Sequence, residues 1–346
     1  SIEINVGRTG SLNPYACLEP VDIGGVIVKL ATLHNFDDVA RKDLRAGDTV
    51  LVKRAGEVIP QVVGPVLQNR TGAEAPFEPP TACPVCGTPI ERPEGEVMMY
   101  CPNGSCPARI YWGLVHFVSQ GAMDIRGLGE RTADMLLRAG LVHDYADIYH
   151  LTVEQLLSLE GFADISARNL VAAIAKSRER PLSRLLYALG VRHVGDHAAQ
   201  VIARRFVTMD ALLEATEADI AAVHGIGATT AEALAAFLEE PRNRALIQRL
   251  RDAGLTMIEP VERAESATLA GLTFVVTGTH TMSRKEITTF IERHGGRVTG
   301  SVSKTTSYLV AGESPGSKLE RANELSVAVI DEDALVALAA GPADDG

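Results

Sequence analysis

Cys83-Pro-Val-Cys86-Gly-Thr-Pro-Ile-Glu-Arg-Pro-Glu-Gly-Glu-Val-Met-Met-Tyr-Cys101-Pro-Asn-Gly-Ser-Cys106 is the stretch around which the chain divides. Cys83-x2-Cys86 and Cys101-x4-Cys106 each place two thiols on a tight turn, and the 14 residues between the pairs let both turns converge tetrahedrally on one ion. Pro84, Gly87, Pro102, Asn103 and Gly104 suit such knuckles. With thiolate at all four positions no coordination site is open to water, so one structural Zn2+ is expected, without a catalytic role. The competing reading is four reduced cysteines without metal. Cys17 is the only other cysteine, and a disulfide scaffold is not expected from this pattern.

Upstream, residues 1–67 carry short alternating runs such as Thr49 to Arg54, then Ala55-Gly56, then Glu57 to Ile59. That pattern predicts hairpins in a small all-β barrel or sheet. Residues 68–82 are poor in large apolar groups and contain Pro76, Pro79 and Pro80, the composition of a linker. The cysteine unit is expected over 83–115.

Downstream, 116–258 turn to Ala- and Leu-rich segments with apolar residues three and four apart, an all-α pattern. Within it, MDIRGLGERTADMLL, LEGFADISARNLVAAI, LGVRHVGDHAAQVIA and VHGIGATTAEALAAF each cross a Gly turn into an amphipathic helix. The turns at Gly127, Gly161, Gly195 and Gly225 recur at 30 to 34 residues, a period of stacked supersecondary units. After a charged connector at 259–266, residues 267–346 form an α/β unit. It reads as strand 273–277, a helix capped by Ser283 and running to His294, strands near 297–299, 308–310 and 327–330, and helices at 317–324 and 332–339. The last six residues are expected to fray.

A chain of 346 residues, 46% hydrophobic, is long enough for several cores. Its apolar runs fall short of the roughly 20 residues a membrane helix needs, and no secretion signal opens it, so a cytoplasmic protein without membrane contact is expected. A net charge of -11 argues against coating nucleic acid by bulk charge, so any such contact must be local.

The repeated turns supply a local mechanism. A Gly-x-Gly turn lets backbone approach a phosphate, and the following helix aims its first N–H groups at the anion. Gly127-Leu128-Gly129 and Gly225-Ile226-Gly227 keep both glycines, whereas Gly161-Phe162-Ala163 and His193-Val194-Gly195 do not. Arg126, Arg131, Arg192 and His193 flank the turns and add positive charge. Such a grip holds a nucleic-acid backbone and reads no bases, so sequence independence follows. The alternative is a purely structural helical repeat, an alternative that weighs most at Gly161.

Together, VGRTG (6–10), ATLHN (31–35), GD (47–48), RAGEVIPQVV (54–63), the four cysteines, LLYALGVRHVG (185–195) and the C-terminal unit resemble, in order, the C-terminal portion of bacterial NAD-dependent DNA ligases. The C-terminal unit matches through Thr277-Gly278-Thr279, Gly295-Gly296, Ser301 to Lys304 and Gly316-Ser317-Lys318. The resemblance implies an oligonucleotide-binding (OB) barrel, a four-cysteine zinc finger, four helix-hairpin-helix motifs and a BRCT-like domain. It implies that Arg8, Thr32, His34 and Asn35 lie on the barrel surface that closes over nicked DNA, with Lys53 and Arg54 tracking the backbone; His34 and Asn35 also read as satisfied turn residues. Leu30 stands where the family often has a polar residue. Trp112 is expected as a core anchor between the zinc and helical units.

The same resemblance implies NAD and Mg2+ as cofactors of an intact ligase, not of this chain. The adenylated Lys-x-Asp-Gly tetrad occurs nowhere among its 346 residues, so catalytic residues are expected outside it. Thr277, Gly278 and Lys318 match a phosphate site of phosphopeptide-reading BRCT relatives, yet DNA or protein docking is the favoured role, and the last helix lacks the usual Trp. A monomer is expected. The rival to the ligase reading is a non-enzymatic DNA-binding adaptor that recruits partners through the BRCT-like unit.

Overall fold

A computed structural model describes residues 1–55, 59–260 and 267–340, with only the backbone of Arg54 and Ala55. Two compact units divide the chain, Ser1–Glu259 and Pro260–Gly346.

The first unit begins with five strands, β1 (Ile2–Val6), β2 (Leu12–Asp22), β3 (Ile27–Thr32), β4 (Val50–Ala55) and β5 (Ile59–Pro65), in the order β1-β2-β3-β5-β4. Neighbours are antiparallel except β3 and β5, which run parallel through Thr32 and Gln61. Helix α1 (Phe36–Arg41) bridges β3 and β4, as expected of an OB barrel. Alternation along β2 sends Leu12, Pro14 and Ala16 inward, where Ala16, Ala31, Leu33, Val39, Leu44 and Val62 build the core. The 55–58 turn of the β4–β5 hairpin lies largely outside the described residues.

Segment 68–82 makes contacts that its composition does not advertise. Phe77 stacks on Phe36 with centroids 6.0 Å apart, and Arg70 grips the buried Asp48 through Nε at 2.7 Å and Nη2 at 2.8 Å. Asp48 also accepts from the Arg45 backbone N–H at 2.8 Å, which explains Gly47-Asp48 as turn chemistry. Arg70 holds the Asp48 carboxyl below its ordinary range. A carboxyl depressed in the folded state adds stability above its unfolded pKa near 3.8 and loses it as pH falls through the lower folded value. Asp48→Asn is therefore expected to lower unfolding free energy by about 1.5 kcal/mol at pH 7, with the gap from wild type closing below about pH 4 in urea titrations.

Helices α2 (Pro107–Val118) to α11 (Pro241–Asp252) follow the cysteines and share one core running from Leu114 to Met257. The buried anchor of α2 is Phe117, fully buried and stacked on Tyr145 at 4.8 Å. Trp112, expected in that role, is only half-buried and meets Tyr111 edge-on. The helical period explains the change: Leu114, Phe117 and Val118 share the inward face of α2, and Trp112 lies off it.

The second unit is a parallel sheet in the order β7-β6-β8-β9, built from β6 (Thr273–Thr277), β7 (Arg297–Thr299), β8 (Tyr308–Ala311) and β9 (Ala328–Ile330). Its helices are α12 (Arg284–Arg293), α13 (Ser317–Glu324) and α14 (Glu332–Ala340). Phe274, Val276, Ile287, Ile291, Val310 and Leu335 form the core, and Ser283 caps α12 in a reciprocal box with Glu286. The order is that of the expected BRCT-like domain. Most of the connector, 261–266, and the six terminal residues expected to fray lie outside the described residues.

Candidate zinc centre and nucleic-acid interface

The sulfurs of Cys83, Cys86, Cys101 and Cys106 all lie within 4.8 Å of one another. Cys83 to Cys106 is 3.9 Å and Cys86 to Cys101 is 3.5 Å. A tetrahedron with Zn–S bonds of about 2.3 Å has edges of about 3.8 Å, so this donor set fits zinc. Thr88 pulls the Cys86 thiol down to about 6, while burial pushes Cys101 up to about 12. Gathering four thiolates this tightly requires a cation at the centre, and metal binding there releases protons.

The finger is stitched to the barrel. Cys101 N–H donates to Gly10 O at 2.8 Å, Leu12 N–H donates to Met99 O at 2.8 Å, and Tyr100 bridges both Ser11 and Glu91. Gly10 has φ of +86°, and a Cβ there would collide with the Cys101 carbonyl. The last glycine of VGRTG thus serves a close approach to a zinc ligand, a role invisible in its own strand context.

The four helical hairpins share one backbone plan. Each turn places a left-handed residue first: Gly127 at φ +91°, Gly161 at +88°, His193 at +65° and Gly225 at +88°. An apolar plug follows (Leu128, Phe162, Val194, Ile226), then an extended N-cap (Gly129, Ala163, Gly195, Gly227) opening α3 (Glu130–Arg138), α5 (Asp164–Ser177), α7 (Asp196–Phe206) and α10 (Ala228–Glu239). His193 keeps the plan without glycine, since histidine enters this region more readily than most residues. No side chain caps α3, α7 or α10. At the second hairpin the first N–H groups of α5 are likewise uncapped, but Ser166 Oγ accepts from the N–H of the N-cap residue itself, Ala163, at 2.9 Å, and Asp164 opens the helix. The first turns of α3 and α7 also carry an acid, Glu130 and Asp196, and that of α10 carries none.

Flanking cations divide into exposed and engaged. Arg126 is largely exposed, with Asp124 3.8 Å away, and Arg131 lines a cleft of about 700 Å³ between the first two hairpins. Arg192, expected at DNA, instead pairs with Glu96 of the finger and stacks over Tyr100 at 4.5 Å, while Tyr100 Oη donates to Glu96 at 2.9 Å. That contact links the third hairpin to the finger. A double-mutant cycle on Arg192 and Glu96 should show a favourable coupling in thermal unfolding; a value at zero would remove the joint.

Arg8, expected on the open barrel surface, points inward: its Nη1 is buried and occupies the space that a Cβ on Gly190 of the helical domain would need. Thr32 Oγ1 accepts from His34 N–H at 3.1 Å, and Asn35 caps α1 by accepting from Asp38 N–H at 2.8 Å. His34 itself has φ of +63° and bonds Gln61 at 2.8 Å. These are the satisfied turn contacts that the sequence left open beside a DNA role. Lys53 is exposed, and the Arg54 side chain lies outside the described residues. In the second unit Thr277 Oγ1 donates to Pro315 O at 2.8 Å, and a Cβ on Gly278 would meet Glu313 O at 2.7 Å. Burial lowers the Lys318 pKa beside Arg284.

Family models match along the chain: the NAD-dependent DNA ligase OB-fold domain over 1–74, the NAD-dependent DNA ligase C4 zinc finger domain over 82–108, a helix-hairpin-helix tandem over 120–176, a helix-hairpin-helix motif over 184–247 and a BRCT domain over 265–339. Domain by domain, the chain matches the C-terminal portion of NAD-dependent DNA ligases. A DNA ligase of Gemmatimonas aurantiaca is 52% identical over 99% of this chain and 50% of its own length. DNA ligases of a Roseiflexus species and of Rubrobacter xylanophilus are 49% and 48% identical, covering 97% and 98% of the chain and 47% and 50% of their own lengths. The chain thus spans about half the length of the curated relatives it matches. The four-cysteine cluster, matched by the C4 zinc finger domain, is a structural zinc site. No helix among the described residues is long and apolar enough to cross a membrane.

Proposed function

We propose that this chain is the DNA-gripping, C-terminal part of an NAD-dependent ligase that seals nicks in duplex DNA during replication and repair. The domain limits read from the sequence, 1–67, 83–115, 116–258 and 267–346 with linkers at 68–82 and 259–266, belong to this reading. The observation that carries it is the shared hairpin plan. Three helix starts, at Gly129, Gly195 and Gly227, present backbone N–H groups that no side chain caps. Such groups hold phosphate oxygens without reading bases, so binding is independent of sequence. Arg126 and Arg131 supply local charge, and His193, Gly127, Gly161 and Gly225 set the turns.

Within the intact ligase, a lysine beyond these residues would take AMP from NAD with release of nicotinamide mononucleotide, AMP would pass to the 5′-phosphate, and the 3′-hydroxyl would displace AMP to close the nick, with Mg2+ neutralising charge. The chain works as a monomer in the bacterial cytosol at the nucleoid, and the BRCT-like domain docks DNA or protein. Mixed with labelled NAD the chain should form no covalent AMP adduct. Its affinity for a nicked duplex should fall steeply with salt and vary little between unrelated sequences. Binding that ignores salt, or is absent, overturns the reading.

A further inference from the structure

Barrel turn, zinc finger and helical domain together enclose a cleft of about 810 Å³. Five arginines line it, Arg8, Arg109, Arg192, Arg242 and Arg249, against the carboxylates of Asp144 and Glu240. Two are committed: Arg192 to Glu96, and Arg249 to Asp144 and Asp147. Among the described residues the other three have no carboxylate partner. Arg109 Nη1 donates to the Cys101 and Pro102 carbonyls at 3.1 Å, Arg242 Nη1 donates to Ser105 Oγ at 2.9 Å, and Arg8 Nη1 is buried with no acceptor.

Each of these three guanidinium chains is admitted by a glycine. A Cβ on Gly190 would collide with Arg8 Nη1, one on Gly104 would lie 2.8 Å from Arg242 Nη1, and one on Gly10 would lie 3.3 Å from Arg109 Cδ. Three unneutralised cations around one cleft repel one another, and a buried N–H without an acceptor is costly. An anion with several oxygens relieves both. Besides the charges, Leu189, Val191, Phe237 and Leu246 line the cleft with apolar surface. Its volume lies in the range of small-molecule sites, about 300–1,000 Å³.

We propose that this cleft binds a phosphate monoester carried on a nucleoside, its phosphate toward Arg8, Arg109 and Arg242 and its base against the apolar surface. A free mononucleotide and the 5′-phosphorylated end of a DNA strand offer the same chemistry. The site does not rest on the hairpin reading.

Calorimetry on the full zinc-loaded chain tests it, with dAMP, deoxyadenosine, inorganic phosphate and a short single strand with and without its 5′-phosphate. dAMP or the phosphorylated strand should bind one to one, with deoxyadenosine, inorganic phosphate and the unphosphorylated strand at least tenfold weaker. Tighter binding of the strand identifies a DNA end as the source, and tighter binding of dAMP a free nucleotide. Arg8→Gln and the exposed Arg242→Gln should each weaken binding at least tenfold, the second keeping the test intact should the first unfold. No phosphate-dependent binding to the folded chain, or binding unchanged in Arg242→Gln, overturns the proposal. Gly227→Asp, which addresses the hairpins, should leave dAMP binding unchanged.

Discussion

Placing an aspartate at the N-cap of the fourth hairpin, Gly227→Asp, is expected to cut affinity for nicked duplex at least tenfold while leaving the melting temperature unchanged or higher. The two effects have opposite signs for one reason. Aspartate is a preferred N-cap, its carboxylate taking the first N–H groups of α10, which no side chain caps in the native chain. That same carboxylate occupies and charges the position a DNA phosphate would take. Gly227 has φ of -84°, and an added Cβ meets nothing within 4 Å, so the backbone accepts the change. Gly129 likewise has φ of -89° and open space, and the pair Gly129→Asp with Gly227→Asp should lose affinity about a hundredfold if the contacts are independent. Ala163→Asp at the second hairpin is the contrast. There Ser166 already takes the N-cap N–H, so a change of less than threefold is expected. Equal losses at all three positions, measured by fluorescence anisotropy at fixed salt, would refute the phosphate grip at these turns.

Zinc removal is expected to have the larger structural effect. Structural zinc contributes about 10–16 kcal/mol of apparent binding free energy at neutral pH, more than a finger of this size draws from its own packing. Its small core is made largely of the ligands themselves: Cys83, Cys101 and Cys106 pack with Val6, Leu12 and Phe36 of the barrel. Cys101→Ser should therefore unfold residues 82–106 locally, release the Cys101–Gly10 and Leu12–Met99 hydrogen bonds and free Arg192 from Glu96. The helical core, from Leu114 to Met257, does not contain the ligands. Far-ultraviolet circular dichroism should accordingly keep most of its helical signal, while hydrogen exchange rises in the finger and at residues 8–12. Affinity for nicked duplex should fall at least tenfold because the barrel and hairpins lose their joint. Metal analysis should give one zinc per wild-type chain. Retained affinity in a zinc-free, locally unfolded chain would reduce the finger to a bystander.

Much of this was legible in the residues because the signals are local. Four thiols at x2 and x4 spacing specify a closed site whatever surrounds them. The hairpin turns were equally plain, and even the missing glycine at His193 left the frame intact, since the αL position at +65° is what the turn needs. In the C-terminal unit Ser283, the Gly295 turn and the apolar strands place the elements to within a residue or two, because caps and buried parallel strands announce themselves.

Side-chain roles were legible only where the partner was near in sequence. Asn35 reads as a cap because Asp38 is three residues away. Arg8 and Arg192 look alike in sequence to the exposed Arg126, yet the fold pairs Arg192 with Glu96 and turns Arg8 inward without an acceptor, and Glu96 and Tyr100 carried no signal of their own. Arg192 and Glu96 are 96 residues apart, and nothing in either segment specifies the other. The sequence by itself determined the zinc ligands, the hairpin frame and the order of domains, since spacing, periodicity and capping act over a few residues. Only the tertiary structure decided which cations remain free for a ligand and which are consumed in docking. That depends on how separately folded pieces pack, and the same guanidinium that would meet a phosphate in solvent finds a carboxylate or a buried cleft when two domains close around it.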